Sequence, residues 1–322
     1  MSADMMRAVV QDGFGGTEVL RVRQVPRPEP LPTEVLVRVH AAGVNPVDWK
    51  TRAGSGMAGV LGQPPFVLGW DVSGVVEAVG FGVTTLKVGD EVYGMPWFPR
   101  AAGGYAEYVT APARQFARKP ATVGHEEAAA VPLAALTAWQ ALVDTAELRA
   151  GQRVFIHAAA GGVGHFAVQF AKHLGAHVLA TASGGRHAWL KELGADEVID
   201  YTAVRFEDVA RDVDVVIDLV GDIHDRTSMR SLEVLRPDGL LVAIPAGVSP
   251  ELADAARARG VRVTPFLVEP DGAALTRIAE LIDAAEVVVE VEGVFPLEQA
   301  ALAHTRGENG RTRGKLVLRA TA

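Results

Sequence analysis

The chain contains no cysteine. Disulfides, thiolate zinc sites and a cysteine nucleophile are therefore excluded. No apolar run approaches the roughly 20 residues that span a bilayer, which argues against a membrane partner. No long basic run occurs either, and the formal net charge is −8, which argues against nucleic acid as the main partner. The start, M-S-A-D-M-M-R-A-V-V, lacks the charged n-region and apolar core of a signal peptide. These absences together predict a soluble, cytoplasmic protein.

What is present suits a globular fold of two ordinary domains: 322 residues, 49% hydrophobic and 22% charged. The first 120 residues read as short β-branched runs (R-A-V-V-Q, E-V-L-V-R-V-H, V-S-G-V-V-E-A-V-G) punctuated by Gly and Pro. An Ala-rich segment, 124–142, reads as a helix with two glutamates in its first turn. Beyond Gly151 strands alternate with helices, the strands being predicted at 153–158, 177–182, 197–200, 213–220, 240–244 and 261–268. Several are continuous apolar runs, as expected of a parallel sheet covered on both faces. The pattern predicts an α/β protein with a doubly wound parallel sheet, and the last 35 residues return to strand–helix–strand.

Between the first of these strands and its helix lies A-A-A-G-G-V-G, residues 158–164. Ala159, Gly161 and Gly164 occupy the small positions of G-x-G-x-x-G, with Gly162 and Val163 between them. The first position permits the tight turn, Gly161 admits a pyrophosphate to the backbone, and Gly164 lets the helix pack on its strand. The helix start would direct free N–H groups at that anion. An NAD site normally carries Asp or Glu at the end of the second strand, yet 180–190 contains no acid. Ser183 and Arg186 stand there instead, suited to a 2′-phosphate. The cofactor expected is NADP(H).

A-A-G-V-N-P-V-D, L-G-W-D-V-S-G-V-V-E-A-V-G, V-G-D-E-V-Y-G, L-T-A-W-Q-A-L, H-A-A-A-G-G-V-G and G-R-T-R-G-K-L-V-L carry a further signal. Through them the whole chain resembles the medium-chain dehydrogenase/reductase superfamily, in its zinc-independent, zeta-crystallin-like quinone oxidoreductase branch. The resemblance implies a GroES-like β domain from 1–123 and 270–322, a Rossmann domain from 124–269, and a homodimer. Pro265, in a predicted edge strand, would limit pairing across a dimer axis. Asn45 stands where zinc-dependent relatives have Cys, and Trp70 where they have His, so no metal site is expected. The G-H-E at 124–126 lies outside that motif context and reads as a helix start.

The resemblance places Asn45 beside nicotinamide and substrate, although an Asn ahead of Pro46 also forms Asx turns. Lys50 replaces a Tyr common in the branch and is either a proton donor or an exposed cation. Thr137, Tyr201, Gly221, Ile244, Pro245, Ala246 and Lys315 are carried over as cofactor-binding positions. Bland alternatives stand beside three of them: helix back-bonding for Thr137, strand-end packing for Tyr201, strand capping for Lys315. Trp49, Trp97 and Phe98 are candidates for an aromatic wall in the substrate pocket, with core packing as the default for each. Asp48 and Asp71 read as turn or hydrogen-bond residues rather than general acids.

Without a Lewis acid, hydride delivery suits an already electrophilic acceptor, a quinone or an α,β-unsaturated carbonyl. The expected activity is that of an NADPH-dependent quinone oxidoreductase, with a quinone or an α,β-unsaturated carbonyl as acceptor. Two other readings are an enoyl or 2-alkenal reductase with little quinone activity, and a non-catalytic NADPH-binding protein serving as sensor or structural element.

Overall fold

The computed structural model describes residues 4–223, 225–245 and 247–321. The chain divides into two compact units, and the division falls at Leu136/Thr137, inside the helix Pro132–Trp139. The first unit holds the residues through Leu136 together with Glu269–Ala285 and those from Val289 onward. The second holds Thr137–Val268 and Glu286–Val288.

The first unit is built on strands β1 (Met5–Gln11), β2 (Leu20–Pro26), β3 (Glu34–Val44), β4 (Phe66–Val67), β5 (Asp71–Val79), β6 (Glu91–Gly94), β7 (Tyr108–Pro112) and β8 (Phe116–Arg118). Strands β15 (Val291–Pro296) and β16 (Lys315–Arg319) join them from the far end of the chain. β3 is the hub, pairing antiparallel with β5, β7 and β16. Its alternating Val35, Val37 and Val39 bury against Val72, Val76, Val92 and Val109 in a valine core, where β-branched side chains pack well on a pleated surface.

The second unit contains β9 (Arg153–Ile156), β10 (His177–Ala182), β11 (Glu197–Asp200), β12 (Val213–Asp218), β13 (Leu235–Ala243) and β14 (Arg262–Pro265). All pair in parallel, in the order β11-β10-β9-β12-β13-β14. This is the doubly wound order whose switch point lies between the first and fourth strands, β9 and β12. Every residue of β12 is buried, Asp214 and Asp218 among them, as expected of a central strand covered on both faces.

Several expectations shift; β9 ends at Ile156 rather than 158, and β14 spans Arg262–Pro265 rather than 261–268. β12 stops at Asp218 rather than continuing to 220, because the Asp218 carboxylate accepts the N–H groups of Val220 and Gly221 and turns the chain. β13 begins five residues early, at Leu235, through a bulged pairing with Val213. The single helix read over 124–142 is instead His125–Ala129, Pro132–Trp139 and a π-turn, Gln140–Thr145. Pro132 lacks an N–H and disfavours a helical residue before it, so the first helix ends and a second begins.

Glycine at position 43 is a packing requirement. A Cβ there would lie 2.4 Å from the Ala129 carbonyl oxygen and 2.9 Å from Asp71 Oδ2. Gly43→Ala should therefore cost about 1–3 kcal/mol by overpacking, whereas Gly59, with nothing within 4 Å of its built Cβ, should tolerate Ala within about 0.5 kcal/mol. Urea titration of the two variants decides this, and equal stabilities would contradict it.

Candidate active site

In the second unit, β9 runs into the small-residue turn and then the helix Gly164–His173. The left-handed residue of the turn is Ala158 (φ +48°), not Ala159. Ala158 is held there because its N–H donates to Thr181 Oγ1 (3.1 Å) while the Ala159 N–H donates to the Thr181 carbonyl (3.0 Å). Gly164 lies so close to the strand that a Cβ would stand 2.5 Å from Ala158 O and from Ala159 Cα. A Cβ on Gly161 would meet only Ala158 O, at 3.3 Å, leaving that backbone open to a ligand. The helix start brings the N–H groups of Val163 and Gly164 out without intrahelical acceptors. A dinucleotide pyrophosphate fits this cradle.

Beneath it lies a buried polar chain. Ser231 Oγ donates to Thr227 O (2.6 Å), so it accepts from His157 Nε2–H (2.9 Å). That leaves His157 Nδ1 to accept from Thr181 Oγ1 (3.4 Å). Burial pushes His157 down to about 4, so it is neutral in this role. The chain fixes Thr181, and through it the turn.

Ser183, Arg186, Tyr201, Gly221, Ile244 and Pro245 follow the carboxyl ends of strands, whereas Thr137 lies in the helix Pro132–Trp139. Ser183 precedes the 3-10 turn Gly184–Arg186 and is half-buried, as is Arg186. Tyr201 is 60% exposed, so it is not packing on the domain. Gly221 has φ +80° and gives its N–H to Asp218; Ile244 donates to Asp218 O (3.2 Å), and Pro245 follows half-buried. Thr137 is buried, and Ala246 lies outside the described residues.

In the first unit the end of β3 carries Asn45, 1% exposed. Its backbone, not its side chain, starts the helix Pro46–Arg52: Asn45 N–H donates to Asp48 Oδ2 (2.7 Å) and Asp48 N–H to Asn45 O (2.9 Å). The side-chain amide faces elsewhere. Nδ2 donates to Asp71 Oδ2 (2.8 Å), and Oδ1 accepts from the Lys315 ammonium, which also donates to Val44 O (3.1 Å). Lys315 Nζ stands 3.6 Å from Asp71 Oδ2, both side chains being buried. Asp71 Oδ1 accepts the Leu133 N–H (2.7 Å), acting as a cap supplied from another strand for the helix Pro132–Trp139. Burial pushes Asp71 up and Lys315 down, and each charge opposes the shift in the other; the 3.6 Å contact has the geometry of an ion pair.

A second chain supports Asp48. Arg52, a donor only, points Nη1 at His304 Nδ1 (3.1 Å). His304 Nε2–H then faces Tyr105 Oη (3.3 Å), and the Tyr105 hydroxyl donates to Asp48 Oδ2 (2.8 Å). Burial, then the Arg52 charge, lowers His304 to about 3. Desolvation raises Asp48 to about 7, and its Oδ1 is buried without a partner.

The structure separates several residues grouped in the sequence reading. The cation on Asn45 is Lys315; Lys50 lies half-buried in the last turn of the helix Pro46–Arg52. Trp49 packs edge-on to His304 (6.3 Å), where a Cβ on Gly307 would be 2.6 Å from its ring. Trp97 joins the valine core and donates its indole N–H to Thr110 O (2.7 Å). Phe98 packs edge-on to Trp70 (5.5 Å), whose indole donates to Arg100 O (2.6 Å). Each of the three aromatics is anchored by packing, as the default reading has it. Tyr105 and His304 were not singled out in the sequence, since neither lies near a motif.

A doubly wound nucleotide sheet with an open phosphate turn, carried on one chain with a GroES-like β unit, defines a nicotinamide-linked oxidoreductase class. A family model described as an alcohol dehydrogenase GroES-like domain matches residues 31–121, and one described as a zinc-binding dehydrogenase matches 193–318. The chain belongs to the medium-chain dehydrogenase/reductase superfamily, in its quinone oxidoreductase branch. It superposes on the quinone oxidoreductase structure from Coxiella burnetii with a TM-score of 0.93 at 38% identity, covering 99% of this chain and 100% of that one. The Escherichia coli quinone oxidoreductase complexed with NADPH gives a TM-score of 0.85 at 29% identity, covering 97% and 99%. The NADPH-dependent alkenal/one oxidoreductase of Arabidopsis thaliana chloroplasts is 36% identical, over 97% of this chain and 79% of that protein.

Zinc, named in one matching family model, does not fit these residues. Asn45 and Trp70 are committed to Asp71, Lys315 and Arg100, and an ammonium lies against the Asn45 oxygen. Among the described residues no group of three His, Cys, Asp or Glu side chains could hold a metal ion. No described helix is long and apolar enough to cross a membrane.

The buried carboxyl of Asp48 has a stability consequence. Its folded pKa, about 7, lies above the unfolded value of 3.8, so between these the folded state holds a proton that the unfolded state has released. The stability this group contributes is full at low pH and is lost as pH rises toward 7. Asp48→Asn should flatten the loss between those pH values in urea titrations; a slope identical to wild type would show that Asp48 is not its source.

Proposed function

We propose that this protein reduces a quinone or an α,β-unsaturated carbonyl with NADPH and without a metal ion. The observation that carries the reading is the buried Asp71–Asn45–Lys315 arrangement, which sets a cation against the amide that stands in the position of a zinc-dependent relative's cysteine. The quinone oxidoreductase and alkenal/one oxidoreductase relatives support the acceptor class, and the NADPH complex supports the cofactor.

When bound, NADPH supplies the hydride. Ser183, Arg186 and Tyr201 receive the 2′-phosphate, and the turn Gly161–Gly164 receives the pyrophosphate. Gly221, Ile244 and Pro245 border the cofactor at the carboxyl edge of the sheet. Asn45 has one Nδ2 hydrogen on Asp71; the other is the donor left for the oxygen that becomes negative as hydride arrives. Lys315, fixed on Asn45 Oδ1, prevents the amide from flipping and adds positive charge. Solvent supplies the proton that completes the hydroquinone or saturated carbonyl. The same reading makes the protein a cytoplasmic homodimer, with Pro265 limiting backbone pairing at the edge strand β14.

A second reading, a 2-alkenal reductase with little quinone activity, is favoured by the 36% identity to the alkenal/one oxidoreductase. NADPH consumption measured against a quinone panel and a 2-alkenal panel separates the two. The expected result is turnover of both classes, unaffected by dialysis against a chelator, with kcat lowered about 100-fold in Asn45→Ala as one transition-state donor is lost. Tight NADPH binding with no acceptor turned over would favour a non-catalytic role instead.

A further inference from the structure

The acid missing from the end of β10 arrives from the neighbouring strand. Asp200, the last residue of β11, lies beside Ala182, the last of β10, in the parallel register. Its Oδ1 accepts the Thr202 N–H (2.9 Å) and the Thr202 hydroxyl (2.6 Å). The Gly184 N–H also donates to this carboxylate, and a Cβ on Gly184 would stand 2.8 Å from Oδ2. The Asp200 carbonyl in turn accepts from Ala203 N (3.1 Å) and Val204 N (3.0 Å), closing the chain over the strand end. One side chain thus ties the turn after β10, with Ser183 and Arg186, to the turn after β11, with Tyr201.

Its bonds, those to Thr202 first, hold the Asp200 carboxyl below the usual carboxylate range, so it is an anion at neutral pH. The turn it grips contains Gly184 and Gly185, the residue pair with the most backbone freedom to lose on ordering. Without the tie, binding of a 2′-phosphate would have to order that turn. With it, the turn is already set, and the ordering cost does not come out of the affinity.

We propose that Asp200 is the positioning residue of the 2′-phosphate site and that it sets the preference for NADPH over NADH. This rests on the NADP(H) reading above. The opposite effect is also physically available: a carboxylate near a phosphate dianion repels it. The two make opposite predictions.

Asp200→Ala, Asp200→Asn, Gly184→Ala and Arg186→Ala, compared for KM and kcat with NADPH and with NADH, provide the test. Asp200→Ala should raise KM for NADPH about tenfold, the worth of one charge-assisted hydrogen bond. KM for NADH should move less than about twofold, since no 2′-phosphate is present to feel the change. Gly184→Ala, whose Cβ displaces the same carboxylate, should reproduce this pattern, and Asp200→Asn, which keeps an acceptor oxygen, should restore most of the preference. Equal losses with both cofactors, or tighter NADPH binding in Asp200→Ala and Asp200→Asn, would overturn the proposal. Unchanged NADPH affinity in Arg186→Ala would overturn the NADP(H) reading itself, whatever Asp200 does.

Discussion

The first unit depends on one buried ion pair. Lys315 and Asp71 are taken out of water together, and the cost of doing so is met only if every lone pair and proton between them finds a partner. They find them in the Asn45 amide, the Val44 carbonyl and the Leu133 N–H. Meeting that requirement pins the end of β3, the start of β5, the start of β16 and the start of the helix Pro132–Trp139 to one point. Segments separated by up to 271 positions in the chain converge on it. Losing either charge would leave the other buried and unpaired, so the arrangement is fixed rather than adjustable.

The second unit is organised by a different constraint, the need to hold a left-handed non-glycine residue in the phosphate turn. Ala158 sits at φ +48°, where an L side chain is strained, and is kept there by bonds to Thr181. Thr181 is held by a neutral His157, which is held by Ser231. The turn is therefore rigid before any cofactor arrives. Gly161 stays open to the ligand while Gly164 is closed against the strand, so two glycines of one motif do opposite jobs.

Much of this was legible in the residues. Mostly apolar runs marked the parallel strands, because a strand covered on both faces keeps few polar side chains. The phosphate turn stood out through its small residues, because a close backbone approach admits nothing larger. The break at Pro132 was available in principle; the Ala-rich run on either side concealed it. Trp49, Trp97 and Phe98 carried two readings, with core packing the default, because an aromatic side chain looks the same in a core and in a binding wall.

The sequence by itself determined the class of fold, the order of its elements and the family, since these follow from local periodicity and from motifs a few residues long. The tertiary structure alone decided which groups meet. Lys50, five residues from Asn45, does not reach its amide, and Lys315, from the other end of the chain, does. Asp200, absent from the stretch where an acid was sought, reaches the turn after β10 because parallel pairing sets strand ends side by side. Hydrogen bonds and charges act over a few ångströms of space, and distance along the chain says little about that.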